Sequence, residues 1–176
     1  RANALTKHTV ENFYDSKDGF FHYSSQDAEK LIASRKELFD NVIPASNSVM
    51  AQNLFHLGIV FDDENWKSIA EKMTFSLSHL ITAEPNYMSN WGIVYLEMKK
   101  GLAEVAFVGK DAAQGYLALA RDFQPFVLAM GSEKESTLPL VQDKVAMDDE
   151  LTIYVCYNKT CQRPVHQVAD AIKQIQ

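Results

Sequence analysis

The sequence predicts an α+β protein, with a helical half over residues 1–101 and a small α/β half over residues 102–176. Two observations carry that expectation. Between residues 50 and 98, apolar side chains recur at helical spacing in three successive runs. From residue 104 the pattern changes to short apolar runs ending in Gly or Cys, two of them flanking a helix-length segment. No Pro/Gly/Ser-rich linker separates the halves, so they are expected to pack on each other.

Residues 4–14 read as a helix through Leu5, Thr9 or Val10, and Phe13. Asp15–Gly19 is a turn cluster, and Phe20–Tyr23 follows as a short aromatic extended piece. Ser24–Asp27 looks like a cap for a short helix carrying Ala28, Leu31 and Ile32. Met50, Leu54, Leu57 and Phe61 then mark one helix face. Trp66, Ile69, Ala70, Met73, Leu77 and Leu80 mark a second, ended by Glu84–Asn86. Trp91, Val94, Tyr95 and Met98 mark a third, stopping near Gly101. Short breaks between them predict antiparallel αα-hairpins.

In the second half, Glu104–Gly109 and Phe126–Gly131 read as strands around a helix over 111–122. Strand, helix, strand with tight loops predicts a parallel βαβ unit with a right-handed crossover. Residues 132–149 read as a surface loop. Leu151–Cys156 is a third strand, Tyr157–Thr160 a turn, and Val165, Val168, Ala169, Ile172 and Ile175 a last helix.

Composition narrows the function. Seventeen basic and 23 acidic residues give a net charge of −6. That argues against nucleic acid, whose phosphates call for a basic surface. No apolar run approaches the roughly 20 residues that span a bilayer. The first eight residues lack the apolar segment of a signal peptide. The chain opens on Arg1 rather than Met, as a fragment or processed product would. Two cysteines are too few for a disulfide scaffold. These points predict a cytoplasmic protein without nucleic-acid or membrane partners.

The segment from Arg35 to Ser48 concentrates polar chemistry. It holds Arg35, Lys36, Glu37, Asp40, Asn41, Ser46, Asn47 and Ser48 around Pro44, just before a helix. One reading is a capped helix start, since Ser and Asn pair the free N–H groups of a first turn. The other is a polar floor on which a ligand hydroxyl or anion docks. In that case Arg35, Lys36, Asp40, Asn41, Ser46, Asn47 and Ser48 are the ligand-binding candidates. Asp40 is then the candidate acid or base, though one carboxylate does not make a glycosidase pair. Phe20, Phe21, Tyr23, Trp66, Tyr87, Trp91 and Tyr95 line a sugar cleft or belong to the core.

Cys156 and Cys161 stand at a spacing that a hairpin places face to face, within disulfide range. A reduced, buried structural pair is the favoured expectation; a redox pair is the alternative. With His166 they form Cys-x4-Cys-x4-His, one ligand short of a structural zinc site, so no metal is expected. His8, His22, His56 and His79 form no motif. Gly109-Lys110-Asp111 lacks the P-loop spacing, and no cofactor is called for.

Several pieces in order resemble one family. They are Asp18–Phe21, Asp27–Glu29, Arg35–Glu37, Asp40-Asn41, Ile43-Pro44 and Ser46–Ser48, then Glu104–Gly109, Tyr154–Cys156, Cys161-Gln162 and Pro164-Val165. This order resembles the carboxyl-terminal part of the spermatogenesis-associated, thioredoxin-domain-containing proteins and their bacterial relatives. The resemblance implies an amino-terminal thioredoxin-like domain and earlier hairpins outside this chain. It also implies an (α/α) toroid, like that of sugar epimerases, whose closing hairpins lie here with the 35–48 segment near a central funnel. The epimerase catalytic histidines have no counterpart in this sequence. The implied ligand is sugar-like. The alternatives are a non-catalytic structural or interaction domain, or a thiol-redox accessory using Cys156 and Cys161. A helical edge left open predicts self-association.

Overall fold

The computed structural model describes residues 1–25, 35–148 and 150–175. It is α+β, with seven helices and two small sheets among those residues. The expected helix over 28–32 lies outside the described residues. The chain divides into two compact units. One comprises Arg1–Ile59 and Asp63–Leu96, the other Val60–Asp62 and Glu97–Gln176.

The first unit opens with helix α1, Ala2–Phe13. Strands β1, Tyr14–Asp15, and β2, Phe20–Phe21, follow as a two-residue antiparallel ladder. The sequence reading did not separate β1 from the turn cluster, because two residues are too few to show alternation. Asp15 and Asp18 fold that turn themselves. Their carboxylates accept the N–H groups of Lys17 and Phe20 at 3.0 and 3.2 Å, the local bonding that makes Asp a turn former.

Helix α2, Ser46–Phe61, precedes α3, Glu64–Ser76. Asp63 caps α3, its carboxylate accepting the Trp66 N–H at 3.0 Å. α3 turns back onto the end of α2 through Gly58. A Cβ there would lie 3.1 Å from the Lys67 nitrogen and 3.2 Å from the Asp63 carbonyl oxygen.

The run expected to continue to Leu80 breaks at Leu77. The Ser76 hydroxyl takes the Met73 carbonyl at 2.8 Å, and the Leu77 N–H closes onto Thr74 instead. Hydroxyl side chains compete with the helix ladder in this way. Helix α4, Ser78–Ala83, a 3-10 turn at Pro85–Tyr87, and helix α5, Ser89–Lys100, complete the run. Ala51, Leu54, Ile69, Ala70, Met73, Met88, Trp91 and Val94 form the buried interior of this unit with Phe20 and Phe21. Trp91 stands edge-on to Phe20 at 6.3 Å between ring centres, the favoured arrangement of two ring quadrupoles.

The second unit is a four-stranded sheet of order β4-β3-β5-β6. β3, Ala103–Val108, and β4, Val127–Ser132, run parallel, joined by helix α6, Ala112–Leu119. β5, Thr152–Tyr157, pairs antiparallel with β3, so the sheet is mixed. β6, Thr160–Cys161, returns along β5, and helix α7, Val168–Gln174, closes the chain. Val105, Phe107, Ile153 and Val155 point to one sheet face, where Ala112, Leu119 and Ala171 complete a dry core. Gly115 lets α6 lie close, since a Cβ there would sit 2.8 Å from the Phe107 ring and 2.9 Å from Leu151.

Asp40 anchors the helical unit. It is 3% exposed. Its Oδ1 accepts the Ala45 N–H at 2.8 Å and its Oδ2 the Asn90 N–H at 2.8 Å. One carboxylate thus caps the starts of both α2 and α5. Replacing Asp40 by Ala strands these donors in the interior. The expected loss is about 2–4 kcal/mol, read as a lower urea midpoint with an unchanged slope. An unchanged midpoint would remove Asp40 from this role.

Candidate functional site

The segment from Glu37 to Ser48 is assembled by its own polar groups. The Ser48 hydroxyl shares its proton between Asp40 Oδ1 at 3.0 Å and the Ala45 carbonyl at 2.9 Å, and accepts from Asn90 Nδ2 at 3.0 Å. Asn47 is fully buried. Its Oδ1 accepts the Phe21 N–H at 2.7 Å, and its Nδ2 donates to the carbonyls of Phe21 and Glu37, each at 3.0 Å. The Trp91 indole N–H donates to the Leu38 carbonyl at 2.7 Å. Asp40, Asn47 and Ser48 therefore direct their polar atoms inward.

The other candidates separate. Lys36 donates to Asp15 at 2.8 Å and to both oxygens of Asp18 at 2.6 Å. The Arg35 carbonyl accepts the Tyr23 N–H at 2.9 Å, and the residue is exposed. Asn41 is exposed, its N–H turned to the Ile43 carbonyl. Ser46 reaches a hollow of about 230 Å³ lined by Thr9, Phe13, Phe21, His22, Tyr23, Ser46 and Met50. Of the seven sequence-selected ligand candidates, Ser46 alone lines it, beside Phe21 and Tyr23 from the aromatic set. Thr9, Phe13, His22 and Met50 were not selected. Thr9 and Phe13 sit one helical turn apart, a spacing equally suited to a core face, and their neighbours come from three other parts of the chain.

The hollow is lined by aromatic side chains together with Thr9, His22, Ser46 and Met50. Phe13 and Phe21 supply apolar surface, and Tyr23 is 69% exposed. The Thr9 hydroxyl donates to the Leu5 carbonyl at 2.9 Å, which leaves its oxygen able to accept. His22 Nε2 lies 3.2 Å from Asp15 Oδ2. The Lys36 bond, the Lys17 N–H and the nearby His22 ring hold the Asp15 carboxyl down at about 2 against the burial that would raise it. Burial pushes the Lys36 ammonium down, but its bonds to Asp15 and Asp18 outweigh that and leave it above the ordinary lysine value. Burial, with Asp18 and Asp15 nearby, raises the Tyr14 phenol.

The cysteines are joined. Cys156 and Cys161 are cross-strand partners and form a disulfide. This corrects the expectation of a reduced pair. The two-residue turn Asn158-Lys159, both at positive φ, sets a register that brings the thiols together. Cys156 is buried, whereas Cys161 is exposed. His166 Nδ1 lies 2.8 Å from the Leu151 carbonyl. Among the described residues, no three His, Cys, Asp or Glu side chains gather as a metal site requires. Nor is any described helix long and apolar enough to cross a membrane.

No protein-family model matches the chain, and no curated protein matches it at a significant level.

The Asp15 cluster has a pH signature. The carboxyl titrates near 3.8 when the chain is unfolded and near 2 in the folded unit. The stability it contributes is complete above about pH 4 and is lost as pH falls toward 2. An acid titration followed by circular dichroism should show the helical unit weakening across that window. Asp15→Asn should lower stability at neutral pH and flatten the acid limb; identical acid limbs would exclude the cluster.

Proposed function

We propose that the first unit binds a small, sugar-like molecule in the hollow between α1, the Phe21–Tyr23 segment and the start of α2. The observation that carries this reading is the composition of the hollow. Aromatic surface from Phe13, Phe21 and Tyr23 lines it together with Thr9, Ser46 and His22. A pyranose has apolar C–H faces and an equatorial belt of hydroxyls, so it suits a hollow lined by aromatic rings and hydroxyl side chains. About 230 Å³ is below the range of drug-sized pockets and suits one ring.

In this reading Asp40, Asn47 and Ser48 do not touch ligand. They hold the segment that presents Ser46. Lys36 fixes the β1–β2 turn beneath the hollow. The reading assigns binding and no reaction. It extends to the whole protein through the family resemblance: this chain would be the closing part of a cytoplasmic, thioredoxin-domain-containing protein, its helices completing an (α/α) toroid.

A second reading rests on a separate observation. Val42 is 95% exposed and Ile43 70%, with Phe39 half-exposed beside them. These apolar side chains flank the rigidly held Asp40. Presented in that way, they suit a protein contact, including self-association or the toroid portions of the same protein.

Thermal shift of the full chain against mono- and disaccharides and their phosphates tests the first reading. A ligand held at a hundred times its dissociation constant should stabilise by about 2.7 kcal/mol. Tyr23→Ala should weaken that ligand at least tenfold without lowering the unliganded midpoint. If no sugar moves the wild-type midpoint, the carbohydrate reading fails, and concentration-dependent sedimentation then tests the second.

A further inference from the structure

We propose that Cys156–Cys161 is a thiol–disulfide exchange site at which Cys161 is the sulfur attacked by an incoming thiolate. The inference concerns the second unit alone and does not depend on the sugar reading.

The crosslink adds little to the architecture it sits in. It joins residues five apart in sequence, already opposed by the ladder of β5 and β6. A short closed loop restricts the unfolded chain less than a long one, so holding the fold is a weak reason for the bond. The bond also lies outside the helix-covered core. Ile153, Val155 and Tyr157 face α6 and α7, which puts Cys156 on the opposite face by strand alternation.

The two cysteines differ in access. Cys156 is fully buried at the penultimate position of β5. Cys161 is exposed on β6, a two-residue strand at the sheet edge. A nucleophile arriving from solvent meets Cys161 first. Asn158 and Lys159 hold φ of 48° and 67°, the two positive-φ positions of a tight hairpin turn, so the turn and ladder keep β6 in place when the bond opens. Exposed disulfides of this kind are the labile ones.

The exchange balances with a dithiol as co-reactant. One thiolate of the dithiol attacks Cys161 Sγ. The new S–S bond forms as the Cys156–Cys161 bond breaks, and the electron pair leaves on Cys156 Sγ. That sulfur takes up a proton, since burial disfavours its charge. The second thiolate of the dithiol then attacks its own first sulfur and releases Cys161. Two electrons and two protons pass to the cysteine pair, and the dithiol becomes a disulfide. In reverse, the Cys161 thiolate attacks a disulfide and Cys156 resolves the mixed species.

The full wild-type chain, treated with reduced glutathione, acid-quenched and peptide-mapped, gives the decisive reading. At least ten times more adduct should appear on Cys161 than on Cys156. Dithiothreitol and reduced thioredoxin, matched in thiol concentration, then serve as free and protein-borne dithiols. Reduction by either with the circular dichroism of the native state retained supports the site, and the faster one names the source. Among variants, treated with oxidised glutathione so that the free thiol attacks its disulfide and releases one reduced glutathione, Cys156→Ser should be glutathionylated at least tenfold faster than Cys161→Ser. Adduct spread evenly over both cysteines, or reduction only in denaturant, would overturn the proposal.

Discussion

A carboxylate removed from water must be repaid in donors, and Asp40 meets that requirement with two helix starts rather than one. Ala45 and Asn90 lie 45 positions apart in sequence, yet both present N–H groups to the same side chain. The starts of two helices converge there. The intervening chain has to close so that this convergence holds. The Tyr87 carbonyl accepts the Asp40 N–H, and the Trp91 indole N–H reaches the Leu38 carbonyl, so the 3-10 turn at Pro85–Tyr87 and the first turn of α5 together hold residues 38–40. Burying Asp40 without these partners would cost several kcal/mol. The helical unit is organised around avoiding that cost.

How much of this was legible depended on range. The cluster of cap-forming residues before the Met50 helix marked the 35–48 segment directly, because Ser, Asn and Pro carry local backbone preferences. The α1, α2 and α5 spans followed from apolar spacing. Asn90 gave no signal, since a residue in a helix entry shows nothing of a carboxylate 50 positions earlier. The break at Leu77 was equally silent. Leu77 and Leu80 keep helical phase, while at the break the Ser76 hydroxyl donates to the Met73 carbonyl and the Leu77 N–H to Thr74. The hollow was half legible. Phe21, Tyr23 and Ser46 stood out as aromatic and polar types, while Thr9 and Phe13 looked like ordinary positions on a helix face.

The second unit was easier to read and also produced the clearest reversal. Strand, helix, strand with tight loops leaves one handed solution, and β3, α6 and β4 adopt the parallel pairing. The antiparallel entry of β5 required a long return through residues 133–148, whose composition gave only a loop. The spacing of Cys156 and Cys161 allowed them to face each other, but the general habit of free cysteines to be buried favoured reduction. Burial applies to one of them only, and the Asn158-Lys159 turn supplies the register that a count of residues leaves open.

Asn47 carries a consequence for motion. Its side-chain amide does for Phe21 what a neighbouring strand would do, accepting from the N–H and donating to the C=O. The edge of the β1–β2 ribbon is therefore stitched to a helix rather than to more sheet. A two-residue ladder would ordinarily fray and let its amide hydrogens exchange within moments. Here, exchange of the Phe21 amide hydrogen requires its bond to Asn47, in the first turn of α2, to break, which ties this wall of the hollow to that helix.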